Sequence, residues 1–300
     1  MMREALIDLR PPPGYPAPPP FDRGWTHDDG SVDPFLSYVA DGDGTNWSRE
    51  LESLHEQSSR DHPIDVWTRR ATLARLGPVA AGAVVLDLGC STGFLLEDLR
   101  RAFPQAALVG IDLIAAGLSK AHVNVPEARL VQADARRLPL ADASVDVAVS
   151  LNLLEHVADD ERALNELRRV LRPGARAVLV VPIGRGLYDY YDRYLGHERR
   201  YDRGELAAKA RRSGLEMVED LHLGGALFPA FWVVKQRNRR RYGQLRGTAL
   251  AARVASDIES SRDSRIVRAG LLVEEALLDR GLRLPFGIRG LTVVRRPRSA

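Results

Sequence analysis

Ala83-Val84-Val85-Leu86-Asp87-Leu88-Gly89-Cys90-Ser91-Thr92-Gly93 is a short apolar run, rich in β-branched residues, that ends in a glycine-bearing turn. An apolar run without strict alternation suits a strand buried on both faces, the habit of parallel sheets covered by helices. Runs of the same kind recur at Ala107 to Ile111, Arg129 to Val131, Val145 to Leu151 and Ala177 to Val181. Helical patterns separate most of them. The clearest is Asp159 to Leu171, where Ala163, Leu164, Leu167, Val170 and Leu171 form one apolar stripe and Glu161, Arg162, Glu166 and Arg169 face water. Strand-helix-strand repeats of this length connect by right-handed crossovers, so the expected fold class is α/β, a doubly wound sheet with helices on both faces.

Working outward, Leu215 to Leu223 reads as a sixth strand and Leu291 to Arg295 as a seventh, with a helix over Arg203 to Ser213 between the fifth and sixth. Toward the N-terminus, Leu51, Leu54, His55, Val66, Trp67, Arg70, Leu73 and Leu76 keep helical spacing within Trp47 to Leu76, and Gly77-Pro78 stops it. Seven prolines within Pro11 to Pro20 leave few backbone donors, so that stretch is expected to be extended or disordered. The division is thus a proline-rich, largely irregular extension over 1–45, a helical cap over 46–78, the core over 79–224, a helical insert over 225–289, and a final strand and tail over 290–300.

A chain of 300 residues with 45% hydrophobic content can bury a sizeable core. Its formal net charge of +3 is too small for a dedicated nucleic-acid surface, and no nucleic-acid partner is expected. Cys90 is the one cysteine, Met1 to Arg10 lacks the apolar core of a secretory signal, and no stretch has the apolar length of a membrane span. The expected compartment is the cytoplasm.

In an open α/β sheet, ligands bind beyond the carboxyl ends of strands where the strand order reverses. Three such loops carry an acid. The first places Asp87 just before Gly89 and Gly93, where the backbone can turn tightly and approach a ligand. Its spacing is not the G-x-G-x-x-G of dinucleotide sites, and an acid there suits a cationic ligand better than a phosphate. The second ends in Asp112, which can accept from two ribose hydroxyls or cap the helix that begins near Leu113. The third, Gln132-Ala133-Asp134-Ala135, offers an acceptor for an adenine amino group or forms a surface turn.

These segments, LDLGCSTG, GID, QADARRLPLADASVDVAVS, LNLLEHV and LNELRRVLRPGARAVLVVP, succeed one another as do the motifs of class I S-adenosylmethionine-dependent methyltransferases. The resemblance covers about 79–182, more loosely 196–223, and is greatest to the subgroup containing ubiquinone and menaquinone biosynthesis enzymes. It implies a Rossmann-like, seven-stranded, mostly parallel sheet whose last strand is antiparallel. It also implies S-adenosyl-L-methionine as cofactor, with Asp87, Gly89 and Gly93 around the methionine part, Asp112 on the ribose and Leu113 against the adenine. Asp134 and Ala135 would meet the adenine edge, and Asn152 would close the pocket. The family often has a glycine where this chain has Ala175, a turn detail.

Methyl transfer from a sulfonium is an in-line displacement, so the protein mainly aligns the reactants, and no metal is expected. An oxygen or nitrogen acceptor can call for a base; His156 and His197 are the candidates, each with a structural or solvated alternative. Tyr191 and Tyr201 suit an aromatic acceptor site or plain packing, and Cys90 reads as packing. Ser150-Leu151-Asn152-Leu153 lacks the N-P-P-Y arrangement of enzymes that methylate exocyclic or amide nitrogens, so the expected acceptor is a small molecule or a lipid-linked one. Apolar Leu227 to Val234 precedes Lys235, Arg237, Arg239, Arg240, Arg241 and Arg246, which suits either peripheral membrane contact through 227–246 or a lid helix with a solvated face. The rival functions are a non-catalytic module that keeps the fold for binding, and a nicotinamide-dependent oxidoreductase, which the glycine spacing disfavours.

Overall fold

The computed structural model describes residues 7–39 and 59–298. A two-stranded ribbon of β1 (Trp25–Thr26) and β2 (Val32–Asp33) precedes the short edge strand β3 (Leu36–Ser37). After α1 (Pro63–Leu73) the alternation expected of the core follows: β4 (Val84–Leu88), α2 (Phe94–Ala102), β5 (Ala107–Asp112), α3 (Ala115–Asn124), β6 (Arg129–Gln132), β7 (Val145–Leu151), α4 (Asp160–Val170) and β8 (Leu171–Pro182). Short α5 (Tyr190–Tyr194), α6 (Glu205–Arg212) and β9 (Glu216–Leu223) lead to α7 (Phe228–Tyr242), α8 (Gly247–Arg262) and α9 (Arg265–Asp279), and β10 (Arg289–Arg295) ends the sheet.

The main sheet has the order β3-β6-β5-β4-β7-β8-β10-β9, with β10 antiparallel to both of its neighbours and the other pairs parallel. Among the described residues it holds eight strands, one more than the seven expected. The addition is Leu36–Ser37, which pairs with Val131 and Gln132 on the free edge of β6. Two residues carry too little periodicity to announce a strand. The strand order reverses at β4, which lies between β5 and β7, and this reversal opens a crevice beyond the carboxyl ends of those strands.

Side chains of β4 alternate between two apolar layers, as the two-residue period of a strand requires. Leu86 and Leu88 join Ile111, Val131, Leu164 and Leu167 on one side, whereas Val85 joins Leu96, Leu99, Leu118 and Ala121 on the other. Asp159 caps α4 by accepting from the Arg162 amide at 3.0 Å. The fifth strand begins at Leu171 instead of near Ala177. Leu171 pairs with Val145, the register shifts, and pairing resumes at Val147 with Arg176, so Arg172, Pro173 and Gly174 lie within an irregular stretch of extended chain.

The proline-rich stretch Pro11 to Pro20 forms neither helix nor strand and turns at Pro12 to Tyr15, where the Tyr15 amide donates to the Pro12 carbonyl at 3.1 Å, while residues on either side of it lie against the core. Leu9 bridges to Leu140, and the buried Trp25 indole donates to the Leu130 carbonyl at 3.1 Å. In α1, Trp67 and Ala71 are buried; Trp47, Leu51, Leu54 and His55, also assigned to a helical pattern, lie outside the described residues. Among the described residues no helix is long and apolar enough to cross a membrane.

Candidate functional site

Residues from β4, β5, β6 and β7 meet at the crevice, a cleft of about 320 Å³. Asp87, Gly89, Asp112, Leu113, Asp134, Ala135, Asn152 and His156 all line it. Gly93 does not; it starts α2 from a left-handed conformation, φ 82°, and a Cβ there would lie 3.0 Å from the Ala121 Cβ. Gly89, φ 86°, donates its amide to the Ile111 carbonyl at 2.7 Å, and a Cβ on it would stand 2.9 Å from the Leu153 Cβ.

Asp87 is buried, and its Oδ2 has no hydrogen-bond partner among the described residues. Burial, and then the neighbouring Asp112 carboxylate, pushes its carboxyl up to about 8. Asp112 is held by the backbone: Oδ2 accepts from the Ser91 amide at 2.8 Å and Oδ1 from the Ile114 amide at 2.9 Å. Asp112 thus closes a turn just ahead of α3 and does not cap the helix, whose N-cap is Ile114 and has no side-chain cap bond; a carboxylate oxygen can accept more than one hydrogen bond. Asp134 is gripped by Arg136, whose Nε lies 2.9 Å and 3.0 Å from its two oxygens. Burial works to raise this carboxyl, but Arg136 outweighs it and holds it below the usual range.

Beyond β7, Asn152 takes a left-handed conformation, φ 51°, and its amide donates to Val180 O at 2.9 Å. The chain then coils through Leu154–His156. Glu155 is fully buried, and both its carboxylate oxygens lack a hydrogen-bond partner among the described residues. Burial pushes its carboxyl up to about 7, against the pull of His197. The loop that carries His197 is latched onto this turn, because the Glu198 amide donates to the Glu155 carbonyl at 2.8 Å. His197 itself does not line the cleft; its ring meets the His156 ring edge to face at 4.7 Å.

Tyr201 is a packing residue: buried, it donates to Asp160 at 2.7 Å, a bond that with burial drives its hydroxyl pKa upward. Cys90 is buried in the core, as expected. Lys235 leaves the cationic run in which the sequence placed it. It points inward, where its Nζ donates to Asp189 at 2.7 Å. The cleft also has a wall that sequence reading missed, made by Asp65, Thr68 and Arg69 of α1 and by Arg289 of β10. Arg289 donates to Asp65 at 2.5 Å and to Thr68 at 2.7 Å, contacts across more than two hundred residues that no local pattern signals.

A family model described as a methyltransferase domain matches residues 86–179. A malonyl-[acyl-carrier protein] O-methyltransferase of Hahella chejuensis is 36% identical over 42% of this chain and 48% of its own length. A demethylmenaquinone methyltransferase of Thermus thermophilus is 37% identical over 38% of this chain and 53% of its own. The chain thus spans about half the length of these curated relatives. Among solved structures, phosphoethanolamine N-methyltransferase 2 of Haemonchus contortus, in complex with S-adenosyl-L-methionine, superposes with a TM-score of 0.57. That match is 16% identical and covers 85% of this chain and 59% of the other, a likeness of fold.

Proposed function

We propose that this chain moves the methyl group of S-adenosyl-L-methionine to a small-molecule acceptor, as a class I S-adenosylmethionine-dependent methyltransferase would, a reading supported by the match of residues 86–179 to a methyltransferase domain. One observation carries the reading: Asp87, Asp112 and Asp134, on three separate strand ends, line a single cleft. The cleft suits the cofactor chemically. A buried carboxylate whose Oδ2 is unpartnered among the described residues matches a ligand with cationic sulfonium and ammonium groups. In this reading Asp87 and the Gly89 backbone hold the methionine part, Asp112 the ribose, and Leu113, Asp134 and Ala135 the adenine, while Asn152 closes the pocket.

The cofactor supplies a methyl group on a sulfur that leaves readily. The chain's own task is to hold the acceptor in line and to exclude water. At the acceptor end the reading keeps both histidines, His156 lining the cleft and His197 backing it. Calorimetry with S-adenosylmethionine and S-adenosylhomocysteine tests the site, and absence of binding by both at millimolar concentration ends the reading. A screen for labelled methyl transfer to metabolites and lipids then identifies the acceptor.

A finer part of the proposal is a lipid-linked acceptor met at an anionic membrane surface. Its support is α7, which exposes Trp232, Val233 and Val234 and then Arg237, Arg239, Arg240 and Arg241. Co-sedimentation with vesicles of phosphatidylglycerol and phosphatidylcholine checks it; equal recovery with pure phosphatidylcholine removes this part alone.

A further inference from the structure

We propose that Glu155, His156 and His197 form a binding site for a divalent transition-metal ion at the acceptor end of the cleft. One ligand atom from each residue lies within 4.8 Å of the other two. An ion bonded at ~2.0–2.2 Å to each of two ligands holds them no more than about 4.4 Å apart, so small side-chain adjustments close the set around one centre.

Three further observations point the same way. First, Glu155 is fully buried, yet neither of its oxygens has a hydrogen-bond partner among the described residues, so it bonds to neither histidine although both stand beside it. A buried carboxylate in that state is unfavourable unless a cation or a proton neutralises it. Second, His197 is prepared as a ligand. Its Nδ1 lies 2.9 Å from Asp192 Oδ1, a carboxylate that also accepts from Arg200 at 2.7 Å. Nδ1 therefore carries the proton, and Nε2 is left as the lone-pair donor, the carboxylate–histidine arrangement that orients metal ligands. Third, the loop bearing His197 is latched over Glu155 by a backbone hydrogen bond of 2.8 Å from Glu198, which fixes the distance between the two ligand-bearing segments.

Two imidazoles and one carboxylate suit Zn²⁺, Co²⁺, Mn²⁺ or Fe²⁺ and not Mg²⁺ or Ca²⁺, which favour oxygen. His156 lines the cleft, so coordination positions beyond the three protein ligands open toward an acceptor. This part rests on the methyltransferase reading: the ion would draw a hydroxyl-bearing acceptor into place and lower its pKa. The O–H bond then breaks with its electron pair left on oxygen, and the proton passes to solvent.

The test uses the full chain after chelator treatment. Titration with Co²⁺ is followed by visible absorption, and S-adenosylhomocysteine binding is measured by calorimetry on the same samples. The expected result is saturable Co²⁺ bands at one equivalent, displaced by Zn²⁺ and not by millimolar Mg²⁺. Glu155→Gln and His156→Asn each weaken Co²⁺ at least 30-fold, while His27→Asn, on the distant ribbon, leaves it unchanged. Thermal melts report whether each variant folds; if Glu155→Gln does not, His156→Asn decides the question. Absence of the bands in the wild-type chain, or equal affinity in wild type and folded variants, overturns the proposal. Co²⁺ binding without S-adenosylhomocysteine binding would leave the metal site standing and remove the cofactor reading.

Discussion

Lys235 Nζ lies 2.7 Å from Asp189 Oδ1, and both residues are buried, so α7 is tied to the loop that carries His197. The same ammonium lies 3.6 Å from Asp192 Oδ2, the carboxylate that orients His197. Removing one partner of a buried pair leaves the other charge uncompensated, at a cost of ~3–5 kcal/mol. Lys235→Met is expected to lower unfolding stability by about 3 kcal/mol in urea. Adding Asp189→Asn to it should recover part of the loss. An unchanged urea midpoint in Lys235→Met would mean that α7 is not held this way.

The Asp87 carboxyl titrates near 8 in the folded, ligand-free chain and near 3.9 when unfolded, because burial disfavours its charge. Its protonated form therefore stabilises the fold fully below about pH 4, and that contribution is lost as pH rises toward 8. A cationic ligand acts in the opposite sense by favouring the carboxylate. S-adenosylmethionine binding should release a proton below pH 8 and tighten by up to about tenfold per unit between pH 6 and pH 8. Calorimetry in buffers of different ionisation enthalpy counts that proton. Asp87→Asn should bind at least ~10-fold more weakly and show no such pH dependence.

The parallel core was legible because each of its strands is a local apolar run and helical patterns separate most of them, most clearly over Asp159 to Leu171, although among the described residues no helix joins β6 to β7. The acids at the strand ends were legible for the same reason, since a strand end and a glycine turn are local signals. Leu36–Ser37 was not, because a two-residue edge strand is defined only by the β6 edge it joins. The inward turn of Lys235 depends on Asp189, and the Arg289 wall on Asp65; both are long-range pairings invisible to periodicity. The juxtaposition of His197 with Glu155 and His156 likewise comes from a loop that returns to β7, so adjacent sequence motifs could not disclose it.

Gly89 faces two constraints at once: φ is 86°, and a Cβ would stand 2.9 Å from that of Leu153. Gly89→Ala is expected to cost roughly 1–3 kcal/mol of stability and to displace the turn on which the cofactor's methionine part is proposed to rest. Because the turn also donates to Ile111 O at 2.7 Å, cofactor binding should fall more steeply than stability. Paired melting and calorimetry measure both, and a variant with full affinity would show that the close approach at position 89 is dispensable.

Asp112 is anchored through both oxygens, by Ser91 N at 2.8 Å and Ile114 N at 2.9 Å, so its orientation is set before any ligand arrives. Asp112→Asn keeps the shape but turns one acceptor into a donor, which deprives one backbone amide and one ribose hydroxyl of a partner. A loss of about 1.4 kcal/mol, tenfold in S-adenosylhomocysteine affinity, is expected; Asp112→Ala removes both acceptors and should lose about 100-fold. The ribose assignment has its own control, because a 2′,3′-dideoxy analogue lacks the hydroxyls that Asp112 is proposed to bind. With that ligand the wild-type chain and Asp112→Asn should differ by less than about threefold, the remainder reflecting the turn itself. If Asp112→Ala binds S-adenosylhomocysteine as the wild type does, Asp112 serves only to cap the turn before α3, and the ribose must be held elsewhere in the cleft.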